Sequence, residues 1–164
     1  MKENELTFQS WLVVIVLAGL LAGTLDITAA IGVSALRGVE PLRLLQSVAS
    51  GWLGKDAYDG GLATAMLGLL LHYLIMQGVA AVFYLGTVFV DGLSRKPLLF
   101  GPLYGITVYA VMNAVVLPLS AFPNTIHYSA QVLATGLTIH MLCIGLPIVI
   151  LISRFRMQQD RLQA

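Results

Sequence analysis

Four separate runs of this chain are each long and apolar enough to cross a lipid bilayer, and no other feature limits its fold so tightly. A hydrocarbon core about 30 Å thick takes about 20 helical residues, each rising about 1.5 Å. The runs extend from Trp11 to Leu36, Gly61 to Val90, Leu98 to Leu119 and Gln131 to Ile152. One charge, Asp26, interrupts the first, and the second has no formal charge. Charged residues make up 10% of the chain and hydrophobic ones 58%, whereas a soluble domain carries roughly a quarter charged. Most of the exterior therefore faces lipid. The expected fold is all-α: a single integral membrane domain, residues 1–164, built as a four-helix transmembrane bundle.

The first run is too long for the apolar core of a signal peptide, and its leader MKENELTFQS has one lysine against two glutamates. It reads as an uncleaved first span. Loop charge sets the orientation. Lys2, Arg95, Lys96, Arg154, Arg156 and Arg161 fall on one side of a four-span protein; Arg37, Arg43 and Lys55 fall on the other. The positive-inside rule then places both termini in the cytoplasm. Aromatic residues suit both interfaces, with Phe8, Trp11, Phe100 and Phe155 inside and Trp52, Tyr58, Phe122 and Tyr128 outside. Pro118 and Pro147 are expected near helix ends, where a missing N–H matters least.

The first outer loop contains a helix of its own. In Pro41–Leu53, PLRLLQSVASGWL, the residues Leu45, Val48 and Trp52 share a face, with Arg43, Gln46, Ser47 and Ser50 largely elsewhere. Proline at the first helical position is a start signal and Gly54 a stop. A short amphipathic helix is expected on the outer interface or capping the bundle, as an anchor or as a lid.

At helical spacing, every span shows a stripe of small residues that also carries a polar group. The stripes are Gly19, Gly23, Asp26 and Ala30; Ala65, Gly68 and His72; Gly101, Gly105, Tyr109 and Asn113; and Gly136, His140, Cys143 and Pro147. Small residues let helices approach closely where lipid supplies no hydrophobic drive, so these stripes are expected to face neighbouring helices. Counted from the outer ends, Asp26, His72, Tyr109 and His140 lie roughly 15–17 Å deep, with Asn113 a turn nearer the surface. A lone aspartate there costs about 2.5–3.5 kcal/mol on insertion scales. His72 or His140 is its expected partner.

The stripes also hint at duplication. Gly19-Leu-Leu-Ala-Gly23 is similar to Gly101-Pro-Leu-Tyr-Gly105. Leu62-Ala-Thr64 followed by His72-Tyr-Leu74 is similar to Leu133-Ala-Thr135 followed by His140-Met-Leu142, with a three-residue gap. Two parallel copies of a two-helix hairpin would produce this pattern.

GLLAGTLDITAA, LQSVASGWLG, LHYLIMQGVAAVFY, GPLYGITVYAVMNAVVLPLSA and HMLCIGLPI span most of the chain. Through them it resembles a group of bacterial multi-span inner-membrane proteins. It also resembles, more distantly, the YagU-like family, through the glycine-bearing first span and the histidines at His72 and His140. The resemblance implies a multi-pass protein of the bacterial inner membrane and brings no reaction with it.

Three readings of the polar layer remain. Asp26, His72 and His140, with Tyr109 and Asn113, are packing contacts in a non-enzymatic accessory subunit. Alternatively, they exchange protons in a transporting oligomer, since histidine titrates near neutrality. In the third, His72 and His140 are axial ligands of a haem b, or share a soft metal with Cys143. The partners expected are the bilayer and a homo-oligomer or larger membrane complex; no basic stripe suggests nucleic acid. No cofactor is required by the first two readings. No HExxH, CxxC or G-x-S-x-G occurs, so no enzyme is expected. His127 reads as a solvated loop residue, and Asp56 and Asp59 as capping and turn residues before the second span.

Overall fold

The first helix, α1 (Lys2–Leu36), runs unbroken from the N-terminal leader through the first apolar run. A turn through Arg37–Glu40 leads to α2 (Pro41–Leu53), which Pro41 starts as the sequence predicts. At its end Gly54 adopts φ 62°, a backbone conformation that a side chain disfavours. One 3-10 turn, Gly54–Tyr58, connects it to α3 (Gly61–Phe89). The computed structural model describes residues 2–90, 92–125 and 129–163 and shows an all-α bundle with no strand among them. His127, Tyr128 and the side chains of Lys2 and Phe8 lie outside the described residues. Four helices are long and apolar enough to cross a membrane: Ser10–Leu36, Gly61–Phe89, Pro97–Leu119 and Ala130–Leu162.

The last two spans contain irregularities that apolar length does not reveal. In α4, Pro97–Val111 passes into a π-helical turn, Met112–Val116, before a last α turn, Leu117–Leu119. In α5, Ala130–Ile139 passes into the π turn His140–Gly145 and then into Leu146–Gln163. A proline follows each π turn, Pro118 and Pro147. Proline lacks the N–H that would bond the carbonyl four residues back, and its ring crowds that carbonyl. One wider turn relieves both problems, and it rotates all that follows relative to a continuous α-helix. Pro147 is therefore not near a helix end as expected. The helix continues well past Ile152 because Arg154, Arg156 and Gln158 are compatible with helix beyond the lipid.

Packing follows the chain. α1 lies against α3 and α5, and α5 lies against α4. α3 and α4 meet chiefly through Tyr104, whose hydroxyl donates to the Val79 carbonyl at 2.6 Å and whose ring lies 5.0 Å from Phe83. The buried core gathers Val14, Ala18 and Ala22 of α1 with Met76, Ala80 and Phe83 of α3 and Ile144, Ile148 and Ile152 of α5. Trp11 stacks on Tyr84 and Tyr84 faces Phe155, so α1, α3 and α5 share an aromatic cluster at the end opposite α2.

α2 differs most from expectation. It does not rest on the bundle by its apolar face. Gln46, Ala49 and Ser50 are its buried residues, while Trp52 is 72% exposed. The cause is a close approach at Gly68 of α3: a Cβ there would strike the Leu45 carbonyl. Gly68 therefore serves α2 rather than a neighbouring span. Gly68 lies two turns, about 10 Å, along α3 from its start, so α2 is sunk against the flank of that span. Gln46 satisfies its amide there by donating to Gly61 O at 3.1 Å and Thr64 Oγ1 at 3.3 Å. A buried amide needs such partners, and the first turn of α3 supplies a carbonyl with a second lone pair and a hydroxyl. Neither Asp56 nor Asp59 caps α3: they belong to the 3-10 turn and its exit, and no side chain caps that helix start.

Candidate functional site

Gly19 and Gly23 turn one face of α1 toward α3. A Cβ at Gly23 would press on Tyr73 and Met76, and one at Gly19 on the Gln77 amide. This closeness lets His72 reach the α1 main chain. Its Nε2–H donates to the Gly23 carbonyl at 2.9 Å, and the imidazole is buried. A carbonyl only accepts, so this contact fixes the proton on Nε2. One residue further along each helix, Thr24 Oγ1 and Tyr73 Oη share a second cross-helix bond of 2.9 Å.

The second histidine is held differently. His140 Nδ1–H donates to Gly136 O, 2.9 Å away on its own helix, and its ring meets Tyr109 edge-on at 5.1 Å. Gly136 faces the same Tyr109 ring. Asn113 donates from Nδ2 to Tyr109 O at 2.8 Å, also along its own helix. The closest approach of α4 and α5 is main chain to main chain. A Cβ on Gly105 would strike the His140 carbonyl, and one on Gly145 the Gly101 carbonyl.

Gly145 was absent from the predicted stripes. On a continuous α-helix it falls opposite Gly136, nine residues earlier. The π turn His140–Gly145 shifts the register so that both face α4. Pro147 was the only available signal.

Asp26 comes within electrostatic reach of His140, His72 and Cys143. It does not pair with either histidine as expected: their bonded nitrogens go to Gly23 and Gly136, and among the described residues Asp26 has no hydrogen-bonded or ion-pair partner. The carboxylate is only half-buried, so its oxygens are not sealed from their surroundings. Asp26, His72, His140 and Tyr109 thus form a layer, with Asn113 a turn away, in which Asp26 and the two histidines are related by electrostatics and each histidine is bonded to main chain.

For the metal reading, no group of three His, Cys, Asp or Glu side chains among the described residues is placed to hold one ion. For haem, the nitrogen of His72 that usually ligates iron is turned to Gly23, while the His140 ring leaves Nε2 outside its Gly136 bond. A ligand pair would require His72 to release α1.

No protein-family model matches the chain, and no curated protein or solved structure is significantly similar to it.

Proposed function

We propose that this multi-pass membrane protein is a non-enzymatic packing or accessory subunit of the bacterial inner membrane, with both termini cytoplasmic. The observation that carries the reading is how the polar layer is bonded. His72, His140 and Asn113 each donate to a main-chain carbonyl, His72 across to α1 and the other two within their own helices, so these bonds tie side chains to the scaffold rather than to one another. The His72 bond, made between helices, fixes packing at a modest energy, about 0.6 kcal/mol on average for its kind. α4 is the least buried of the four spans, which leaves most of its apolar surface to lipid or a second chain. The excess of lysine and arginine on the side of both termini supports the orientation.

Extraction into lipid nanodiscs, followed by native mass measurement, tests the accessory role. A second copy or a reproducible companion chain is expected; a solitary monomer at all lipid ratios would overturn it.

Asp26 motivates a second reading, proton exchange in an oligomer. Intramembrane carboxylates are functional by default, and this one faces two histidines with no bonded partner among the described residues. Proteoliposomes loaded with a pH-sensitive dye test it through Asp26→Asn. Proton flux in the original protein that disappears in the variant supports this reading. Flux no greater than in empty liposomes removes it. Because Asp26 makes no hydrogen bond among the described residues, the variant should keep its stability to within about 0.5 kcal/mol.

A further inference from the structure

We infer that the flank of α2 turned toward the end of α4, beside its contact with α3, holds one anionic phospholipid, headgroup on Arg43 and Lys55 and an acyl chain in the apolar groove below. Two cavities lie along that flank. The one nearer the α2 N-terminus, about 630 Å³, is walled by Arg43, Ser47, Lys55, Tyr58 and Asn124, among others. The other, about 380 Å³, is walled chiefly by Val48, Trp52, Leu71, Ile75, Met112 and Val116. Ser47 lines both, and Arg43, Ser47 and Gly51 follow one another at the i, i+4 spacing of a single helix face. Both volumes fall within the ordinary range of small-molecule sites.

Depth and charge together select the occupant. Ser34 and Val39, at the end of α1, border the polar cavity, placing it where a span leaves the lipid. Leu71 and Ile75 lie ten and fourteen residues along α3, so the apolar cavity reaches some 15–20 Å inward. A cationic mouth above a greasy slot at hydrocarbon depth matches an amphiphile with a negative head. Arg43 is held in place over the Tyr58 ring, 4.1 Å from its centroid, and Asn124 fixes the Tyr58 hydroxyl at 3.0 Å. Among the described residues, neither Arg43 nor Lys55 has an ion-pair partner. The acids of the same segment, Glu40, Asp56 and Asp59, are exposed and line neither cavity. A lipid phosphate is therefore the anion that a membrane offers to these two cations. The slot stays open because Gly51 and Ser120 meet there without filling it: Ala121 N–H donates to Gly51 O at 2.9 Å, pinning the loop after α4 onto α2.

Native mass spectrometry of the full chain in detergent tests the site, with phosphatidylglycerol, phosphatidylcholine and chain-free glycerol phosphate each added separately. Phosphatidylglycerol should be retained best and glycerol phosphate not at all. Arg43→Gln with Lys55→Gln should weaken phosphatidylglycerol on the order of fivefold per cation removed, leaving phosphatidylcholine unchanged. Ile75→Trp, which fills the slot without touching the cations, should weaken both lipids. Equal retention of the two lipids, an unaffected double variant, or glycerol phosphate binding as well as phosphatidylglycerol would each overturn the proposal. If the double variant does not fold, Lys55→Gln alone carries the test, since Lys55 lies on an exposed turn.

Discussion

In the α1–α3 hairpin, the glycines of the first helix face side chains, whereas in the α4–α5 hairpin Gly105 faces main chain and Gly101 both the backbone and the side chain of Leu146. Gly19 and Gly23 lie against Gln77, Tyr73 and Met76; Gly101 and Gly105 lie against the backbone of His140, Met141, Gly145 and Leu146. The two units share a pattern, a glycine pair followed by a histidine-bearing helix, and the pairing is spatially parallel. Gly19 meets a residue five positions after His72, and Gly101 meets one six positions after His140. The additional residue belongs to the π turn that precedes Pro147. One proline thus converts a side-chain seam into a backbone seam, and it turns the histidine bond from the neighbouring helix to its own.

The polar groups do not follow the repeat. Position by position from Gly23 and Gly105, Asp26 corresponds to the buried Val108 and Tyr109 to the buried Ile27. Thr24 and Tyr73 correspond to Ile106 and Met141. A shared scaffold therefore carries a different polar residue in each half. The midplane layer arises only where the halves meet.

Glycine substitutions should expose this difference most strongly. Gly145→Ala places a methyl against the Gly101 carbonyl, which cannot move without displacing α4. Overpacking of this kind costs about 3 kcal/mol. Gly19→Ala meets only the end of the Gln77 side chain, which can rotate away, and should cost less than about 1 kcal/mol. Reversible unfolding in mixed micelles measures both. Equal losses would mean that the two seams are alike.

The histidines rank next. His72→Ala removes a buried bond between helices and should cost about 1 kcal/mol, within the range of polar contacts in membrane bundles. His140→Ala removes a bond within one helix from a less buried ring, and about half that loss is expected. A greater loss at His140 would show that its Tyr109 contact, not its hydrogen bond, holds α4.

Much of this was legible in the chain itself, because bilayer thickness turns apolar length into spans, and Pro41 and Gly54 bound α2. The face of α2 was not. Amphipathicity assumes water on one side, but here Trp52 points outward while the small polar side fits Gly68. For the site, spacing brought Asp26, His72 and His140 to one level, since Asp26 and His72 lie on unbroken helices and His140 is the first residue of its π turn. It misassigned their bonds, because backbone carbonyls have no residue code. Gly145 was hidden by a register shift whose cause lies two residues downstream at Pro147.

The smallest expected effect isolates what the first hairpin has and the second lacks. Thr24 Oγ1 and Tyr73 Oη bond across α1 and α3 at 2.9 Å on an exposed surface, where Ile106 and Met141 offer only apolar contact. Tyr73→Phe and Thr24→Val should each cost about 0.5 kcal/mol. Because they break one bond, the double variant should cost scarcely more than either single change. Full additivity would mean that Thr24 rests on its other bond, to Leu20 O at 2.8 Å. The α1–α3 seam would then keep the His72–Gly23 bond, which has no counterpart at His140, whose bond stays within α5, and the second cross-helix tie would drop out of the comparison.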